Sequence, residues 1–368
     1  MAFTLSQADT ISPKTLRNEI VRDLDNQNRQ NALIATEVFP LVELSDSEET
    51  YFTMDGSEMP MPRGDLASES RVVDMEDLDE STIGVETFKA KISPEKGADT
   101  ELNTDQEILN LFEAAADTLR LRLEIARSLV AWQGYGGIDG LIGDDGQTAH
   151  PDLDASHVFT PSTAFSDTAN STPQNSFIDA QFQIEDDGDM LDQAGQVTAY
   201  MSPSALRDLK KNDDLESRFS GVDTQGLTED QVANILPVDQ IQPVRTQVVR
   251  TDADGQPIDG SGNVVDDPAN AVKDNILEPY DAANSTQRRN IVIGAPGQVS
   301  AFIPWFADRL SEHGEQAPPS GDFSVDMGNG FLTQMWTDND PLVTWFKIAQ
   351  EIGFHLHRPD NWAIIQDI

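Results

Sequence analysis

Thr104-Asp-Gln-Glu-Ile-Leu-Asn-Leu-Phe-Glu-Ala-Ala-Ala-Asp-Thr-Leu-Arg-Leu-Arg-Leu-Glu-Ile-Ala-Arg-Ser-Leu-Val-Ala-Trp132 runs without a proline or a glycine. Within it Ile108, Phe112, Ala115, Leu119, Leu123, Ala126 and Val130 recur at spacings of three and four, which sets them on one face of a helix. Thr104-Asp-Gln-Glu107 has the form of a capping box, in which the threonine hydroxyl and the glutamate carboxylate take up backbone N–H groups that a first turn leaves without partners. Asp117 with Arg120, Arg120 with Glu124, and Glu124 with Arg127 stand three or four apart along the flanks, where opposite charges support a helix. At 1.5 Å per residue such a helix measures roughly 40 Å. Gly134, Gly136 and Gly137 read as its stop and as a flexible hinge. The stretch 104–132 is therefore expected to be one rod, long enough to brace a whole domain.

Upstream of the rod, residues 46–100 are rich in Asp, Glu, Ser, Met and Pro. Extended limbs are expected around Tyr51-Phe-Thr-Met54 and Val85-Glu-Thr-Phe-Lys-Ala-Lys-Ile92, flanking a polar middle that contains Met59-Pro-Met-Pro-Arg-Gly64. That pattern predicts a long hairpin-like loop, and a loop of this length is functional or disordered. Residues 1–45 read as an arm, with a short helix after Pro13 and an apolar patch at Val38-Phe-Pro-Leu-Val42.

Downstream, 134–174 is rich in Gly, Asp, Ser and Thr and reads as loops with short strands. A second globular region follows, from Ser176 to about Arg250, with a strand at Gln196-Val-Thr-Ala-Tyr-Met201. One helix starts at Ser202-Pro203, an N-cap followed by an N1 proline, and another at Thr228-Glu-Asp-Gln231. Residues 251–267 form a polar insertion, most simply a hairpin tip. In the C-terminal part, Asn290-Ile-Val-Ile-Gly294 is a strand candidate, and Phe302 to Leu310 is aromatic-rich and broken by Pro304. Asp340-Pro341 is expected to start a helix that carries Leu342, Trp345, Phe346 and Ala349 on one face and stops at Gly353, with a strand-turn-strand over 354–368. No fixed-period repeat is present.

The chain has 368 residues, beyond the size at which one core usually stops growing, so two or three compact units are expected. It carries 65 Asp plus Glu against 24 Lys plus Arg, for a net charge of −41 and a pI near 4.1. Acid has been added and lysine removed along the whole sequence, with 43 Asp, 22 Glu, 16 Arg and only 8 Lys. Self-repulsion of this size opposes a compact state unless salt screens it, and at 1 M the Debye length is about 3 Å. The composition therefore points to life in brine. It also closes the counter-ion-release route to nucleic-acid affinity.

Without cysteine, disulfides, thiol catalysis and cysteine-bound zinc are excluded. Met1-Ala-Phe-Thr-Leu-Ser lacks a basic region followed by an apolar run, and no 18 consecutive apolar residues occur, so no export signal and no membrane span are expected. His355 and His357 would share one face of a strand and form the best histidine pair, but no ligand-bearing helix motif accompanies them. Asp252-Ala-Asp-Gly255 begins like a calcium loop, yet the twelfth position is Asn263 and not glutamate. Asp186 and Asp187, within Glu185-Asp-Asp-Gly-Asp189, share with Asp252 and Asp254 the status of cation candidates. Gly134-Tyr-Gly-Gly-Ile-Asp-Gly140 lacks the spacing of a phosphate loop, and neither a nucleophile elbow nor a Walker lysine is found. Catalysis has no foothold in these patterns.

Taken in order, these pieces resemble the Hong Kong 97-type major capsid proteins of tailed viruses. The segment Phe88-Lys-Ala-Lys-Ile-Ser-Pro-Glu-Lys96 followed by the capped helix is similar to that family's loop-to-spine junction. Met201-Ser-Pro-Ser-Ala-Leu-Arg-Asp-Leu209 is similar to its strand, small-Pro turn and helix, and Arg358-Pro-Asp-Asn-Trp-Ala-Ile-Ile365 to its closing strand pair. The resemblance covers most of the chain at the level of pattern. The insertion 251–267 is extra, 134–174 has no clear counterpart, and the arm is too short for a removable scaffolding segment.

The resemblance implies an α+β fold with an arm (1–45), an extended loop (46–100), a peripheral domain (101–175) holding the spine helix 104–132, an axial domain (176–340), and a C-terminal helix and strands (341–368) returning to the peripheral domain. It implies a non-enzymatic subunit that assembles with itself, as hexamers and pentamers, into an icosahedral shell enclosing double-stranded DNA without specific binding. With the acidic composition, the source would be a haloarchaeal tailed virus (Caudoviricetes). No cofactor is implied beyond structural cations. Portal, scaffold or decoration proteins would be partners, no membrane would be involved, and the location would be the virion after assembly in the host cytoplasm. Val38, Phe39 and Leu41 of the arm and Met54, Met59, Met61 and Arg63 of the loop are expected to contact neighbouring subunits. An encapsulin-like compartment, a halophilic hydrolase using acidic residues and the 355/357 histidines, and a tail or surface-layer protein are the rival readings.

Overall fold

Asn290–Gly294 and Trp362–Gln366 lie side by side as antiparallel strands, in register from Asn290↔Gln366 to Gly294↔Trp362. The structure is a computed structural model, and it describes residues 38–39, 41–42, 48–54, 78–92, 105–187, 197–218, 227–251, 256–267, 270–281, 286–294, 300–302, 322–326, 331–339, 342–356 and 359–368. The two strands are central in a five-stranded sheet that also contains Val158–Phe159, Thr198–Met201 and Gln240–Pro243.

Side chains alternate across this sheet. Tyr200, Val292, Trp362 and Ile364 enter one core cluster, while Ala199, Met201, Ile291, Ile293, Ala363 and Ile365 enter a second. A strand buried on both faces has no solvent side to make polar, which is why these segments read as continuous apolar runs. Gly294 lets Trp362 lie flat on its strand partner, since a Cβ there would come within 2.4 Å of the indole.

On one side of the sheet runs helix α1, Asp105–Trp132, unbroken over 28 residues. Leu119, Leu123, Val130 and Trp132 are buried in the first core. Thr104, and with it the capping box, lies outside the described residues, as do the side chains of Ile108, Phe112 and Ala115. Arg120 and Glu124 form a 2.8 Å ion pair one turn apart. Burial lowers the Arg127 guanidinium to about 10, so it stays charged at neutral pH; Gln350 Oε1 accepts from its Nε at 2.7 Å.

On the other side pack four helices: α2 (Pro173–Asp187), α3 (Pro203–Leu209), α4 (Asp213–Arg218) and α5 (Glu229–Ile235). Phe177, Ala180 and Ile184 of α2 face the second core at helical spacing. Helix α2 has no counterpart among the expected elements, although Thr172-Pro173 offers the same start signal as Ser202-Pro203. Ser202 Oγ caps α3 by accepting from the Ala205 amide at 3.1 Å. Thr228 and Gln231 cap α5 reciprocally, the Gln231 side chain accepting from the Thr228 amide at 2.8 Å and the Thr228 hydroxyl from the Gln231 amide at 3.3 Å.

A second sheet corrects the helix expected after Asp340-Pro341. Leu342–His355 is a 14-residue strand. It pairs with Phe331–Asn339 (Asn339↔Leu342 to Phe331↔Gln350) and with Glu86–Ile92 (Ile92↔Phe346 to Glu86↔Ile352). The spacing of Leu342, Trp345, Phe346 and Ala349 fits a helix, but Val343, Thr344, Trp345, Phe346, Ile348 and Ile352 favour a pleated surface, and pairing with distant strands decides the outcome. Gly353 is no stop, being paired with Phe302. The following strand, Trp362–Gln366, belongs to the five-stranded sheet, so the C-terminus does not close as a strand pair.

The extended loop also pairs differently from expectation. Glu48–Met54 forms an antiparallel ladder with Leu78–Gly84, from Glu48↔Gly84 to Met54↔Leu78. Only Val85 then separates this ladder from the strand Glu86–Ile92, which enters the second sheet. The limb expected at 85–92 is therefore the root, and the true second limb, Leu-Asp-Glu-Ser-Thr-Ile-Gly, carries too little apolar alternation to announce itself. Further on, Gln247–Val249 pairs with Lys273–Asn275, which makes the polar insertion a hairpin tip.

Candidate functional site

The three described histidines are structural. His157 is fully buried; its Nδ1 donates to the Trp362 carbonyl at 2.8 Å and its Nε2 lies 3.3 Å from Asp187 Oδ2. His355 is buried in the strand Leu342–His355 opposite Ser300, and its expected partner His357 lies outside the described residues. His150 meets the Phe354 ring edge-on at 5.8 Å, and its Nδ1 accepts from the Asp152 amide at 3.2 Å.

That last bond needs an unprotonated Nδ1. Burial accordingly holds the His150 imidazole below its ordinary range, against the pull of Asp152 and Asp139. Because the folded chain binds this proton less readily than the unfolded chain, the stabilisation is complete above the unfolded value of about 6.5 and is lost as pH falls through the lower folded value. Denaturation midpoints should fall on acidification below about pH 6.5, and His150→Phe should flatten that part of the profile.

Among the described residues no group of three or more His, Asp and Glu side chains comes together to hold a metal ion. Asp186 and Asp187 end α2 as exposed residues, and Asp187 accepts from Gln183 Nε2 as well as facing His157. Asp252 and Asp254 lie outside the described residues. Next to them, Asp259 shows what an acid in this insertion does: it accepts from the Asn263 and Ser261 amides at 2.9 and 2.8 Å, which holds its carboxyl below the usual range and shapes the turn. Among the described residues, no helix is long and apolar enough to cross a membrane.

What the fold does build is a braced root for the extended ladder. In Glu86–Ile92, Phe88, Ala90 and Ile92 turn inward onto the first core, while Thr87, Lys89 and Lys91 turn outward and are exposed. Directly after α1, Gly134–Tyr135 and Ile138–Asp139 form a hairpin through Gly136 and Gly137, whose φ of 68° and 91° suit a two-residue primed turn. This hairpin stands where a flexible hinge was expected. Tyr135 stacks on Phe88 at 5.7 Å, and a Cβ on Gly136 would sit 3.0 Å from that ring. The ladder's root is thus clamped to the end of the rod.

Of the residues expected to touch neighbours, Val38 and Phe39 are corrected by their burial. They are 2% and 1% exposed within the chain's own core, Phe39 meeting Trp132 edge-on at 5.0 Å and Phe354 at 5.3 Å. A short apolar patch beside proline looks the same in sequence whether it fills its own core or another's. Leu41 belongs to the strand Leu41–Val42, which pairs in parallel with Ser300–Phe302, and Met54 ends its ladder opposite Leu78. Met59, Met61 and Arg63 lie outside the described residues. Leu121, Tyr135, Phe182 and Val264 are large apolar residues left more than half exposed, at 53%, 51%, 65% and 54%. The sequence pattern assigns none of them a surface role.

No family model and no curated protein matches the sequence. Among solved structures, the chain is similar to a phage-related protein from Bordetella bronchiseptica, with 14% identity, a TM-score of 0.50, and coverage of 90% of this chain and 91% of that one. It is also similar to the capsid of a native GTA particle (13% identity, TM-score 0.48, coverage 91% and 90%). A third is the SrpI encapsulin complex of Synechococcus elongatus (9% identity, TM-score 0.46, coverage 92% and 88%). At these identities the likeness is one of fold: the chain is a mixed helix-and-strand protein whose fold resembles that of the Bordetella phage-related protein over most of its length.

Proposed function

We propose that this chain is a shell-forming structural subunit, the major capsid protein of a tailed virus with a Hong Kong 97-type fold, and that it is not an enzyme. One observation carries the reading: an unbroken rod, Asp105–Trp132, whose end is clamped to the root of a long two-stranded ladder. A long two-stranded ladder rooted at the end of a rod suits a tile, because a limb that reaches a neighbour adds a contact and many weak contacts multiply in a closed shell. On this reading the ladder and residues 46–100 are the extended loop, α1 is the spine of a peripheral domain, and the helices α2 to α5 belong to the axial domain.

Leu41, Met54, Met59, Met61 and Arg63 remain proposed neighbour contacts. Hexamers and pentamers, double-stranded DNA as the enclosed cargo, portal or scaffold partners and structural cations are part of the same proposal, as is a salt-loving archaeal host, which rests on the charge of −41. The experiment is a loop exchange. Since Met54 and Leu78 are paired, replacing residues 55–77 with Asn-Gly would close the ladder with a two-residue turn and leave its register intact. The variant is expected to fold with unchanged circular dichroism and to form no shells. Normal shells from it would reject the loop's role.

An encapsulin-like compartment is the second reading, favoured by the fact that nothing in so acidic a chain selects for a genome. Protein cargo without nucleic acid in purified particles would establish it.

A further inference from the structure

Cations are scarce in this chain, and those described commonly sit against an acid, as Arg120 does with Glu124, Lys210 with Glu229, Arg250 with Asp274 and Arg289 with Asp208. Arg245 and Lys273 do not. Both are exposed, and neither side chain has an ion pair or hydrogen bond among the described residues. Arg122 on α1 and Lys211 after α3 are further exceptions, each on an element of its own, whereas Arg245 and Lys273 share one face of a hairpin. Gln247 pairs with Asn275 and Val249 with Lys273, and the Ile276 amide continues the ladder by donating to the Thr246 carbonyl at 3.0 Å. Side chains of a strand alternate, and burial follows: Val244 and Thr246 are buried while Arg245 and Gln247 are exposed. Arg245, Gln247, Val249, Lys273 and Asn275 therefore form one side, and none of the five is acidic. Asp274 lies on the other side, held by Arg250.

Helix α2 presents the reverse. It contains four acids and no Lys or Arg, and its outer face carries Asp179, Phe182 and Asp186 at helical spacing. All three are exposed, Phe182 at 65%. The two faces lie at opposite edges of the five-stranded sheet. Helix α2 packs over Trp362–Gln366 and Val158–Phe159 on the side of the second core, whereas the hairpin follows the far edge strand, Gln240–Pro243, and sends Ile276 and Leu277 into the first core. Faces so separated meet only between chains.

We infer that the hairpin face of one copy, through Arg245 and Lys273, docks on the outer face of α2 of a second copy, with Phe182 at the centre of the contact and Asp179 and Asp186 as its acids. The inference rests on the reading as a shell subunit. Its argument is charge complementarity: copies that each carry −41 repel at most pairs of surfaces, and a cationic face free of acids attracts an acidic helix free of cations. An exposed aromatic supplies the apolar area that protein contacts concentrate at their centres. Nucleic acid is the poorer occupant, since two cations on so acidic a chain release few counter-ions. Contact between two different faces is head-to-tail, and head-to-tail contacts close into rings when the rotation between copies allows it. Hexamers and pentamers are such rings.

The test is a charge swap, run at the lowest salt concentration at which the wild type forms shells and read by electron microscopy, sedimentation and circular dichroism. R245E/K273E and D179K/D186K, altered only at exposed positions, are each expected to fold and to lose shells by about tenfold or more, because each sets like charges against like at every repeat of the contact. Combined in one chain, the two pairs of substitutions set opposite charges together again and should return most of the shells. If a reversal fails to fold, R245Q/K273Q and D179N/D186N remove the charges without reversing them and should each lower the yield. Shells in wild-type yield from either reversal would overturn the inference while leaving the shell reading intact. A combined variant that folds but stays as free subunits would also overturn it, since the two faces would then have different partners. Shells of R245E/K273E in normal yield that lack nucleic acid would overturn it by assigning the hairpin face to DNA. Wild-type chains that stay single at every salt concentration would remove the shell reading and this inference with it.

Discussion

Trp362→Ala should lower the unfolding free energy by about 3–5 kcal/mol, the range for deleting a buried aromatic from a core that cannot collapse around the gap. Trp362 is fully buried in a central strand of the five-stranded sheet, and its neighbours have little freedom to close in. Its ring stacks on Tyr200 at 6.1 Å, lies 5.8 Å from Phe39 and covers Gly294. Its carbonyl accepts from the buried His157. Through Phe39 the same cluster reaches Trp132 at the end of the rod, so the cavity would loosen the arm, the rod and the sheet together. Chemical denaturation in high salt measures the effect. Leu121→Ala, on the exposed side of the rod, should by contrast change stability by no more than about 0.5 kcal/mol.

The second large effect is expected from salt alone. Each copy brings a charge of −41, and a shell packs many copies edge to edge. At about 1 M salt the Debye length is roughly 3 Å, so neighbouring acids scarcely feel one another; at about 0.01 M it is roughly 30 Å, comparable with the length of the rod, and every acid on one subunit repels those on the next. Particles stable in molar salt should therefore fall apart on dialysis into dilute buffer, and light scattering across a salt series should show a cooperative loss. Particles indifferent to the dilution would contradict the proposed adaptation to brine, because the charge would then have been neutralised by some other means.

Local signals in the sequence are legible where the physics is local. The rod's period, the Ser202-Pro203 start, the Thr228 capping box and the double-buried run Asn290–Gly294 all depend on residues within a turn or a strand of one another, and each appears where its residues point. The strand Leu342–His355 is not legible, since its spacing fits either period and its partners at 86–92 and 331–339 decide between them. The ladder's second limb, Leu78–Gly84, escapes because its own sequence carries little apolar alternation and its partner strand, Glu48–Met54, lies far upstream. Val38 and Phe39 show the limit for contact surfaces, as an apolar patch in an arm does not say whose core it fills. The pairing of Glu86–Ile92 with Leu342–His355 is out of reach altogether, since Lys91 stands opposite Lys347 only through a register that no local pattern encodes.

Electron microscopy of the purified chain in molar salt tests the central claim most directly. The account predicts closed, roughly spherical shells of uniform size built from this chain alone or with a scaffold. Single globular particles at every salt concentration, or open sheets and tubes, would contradict it.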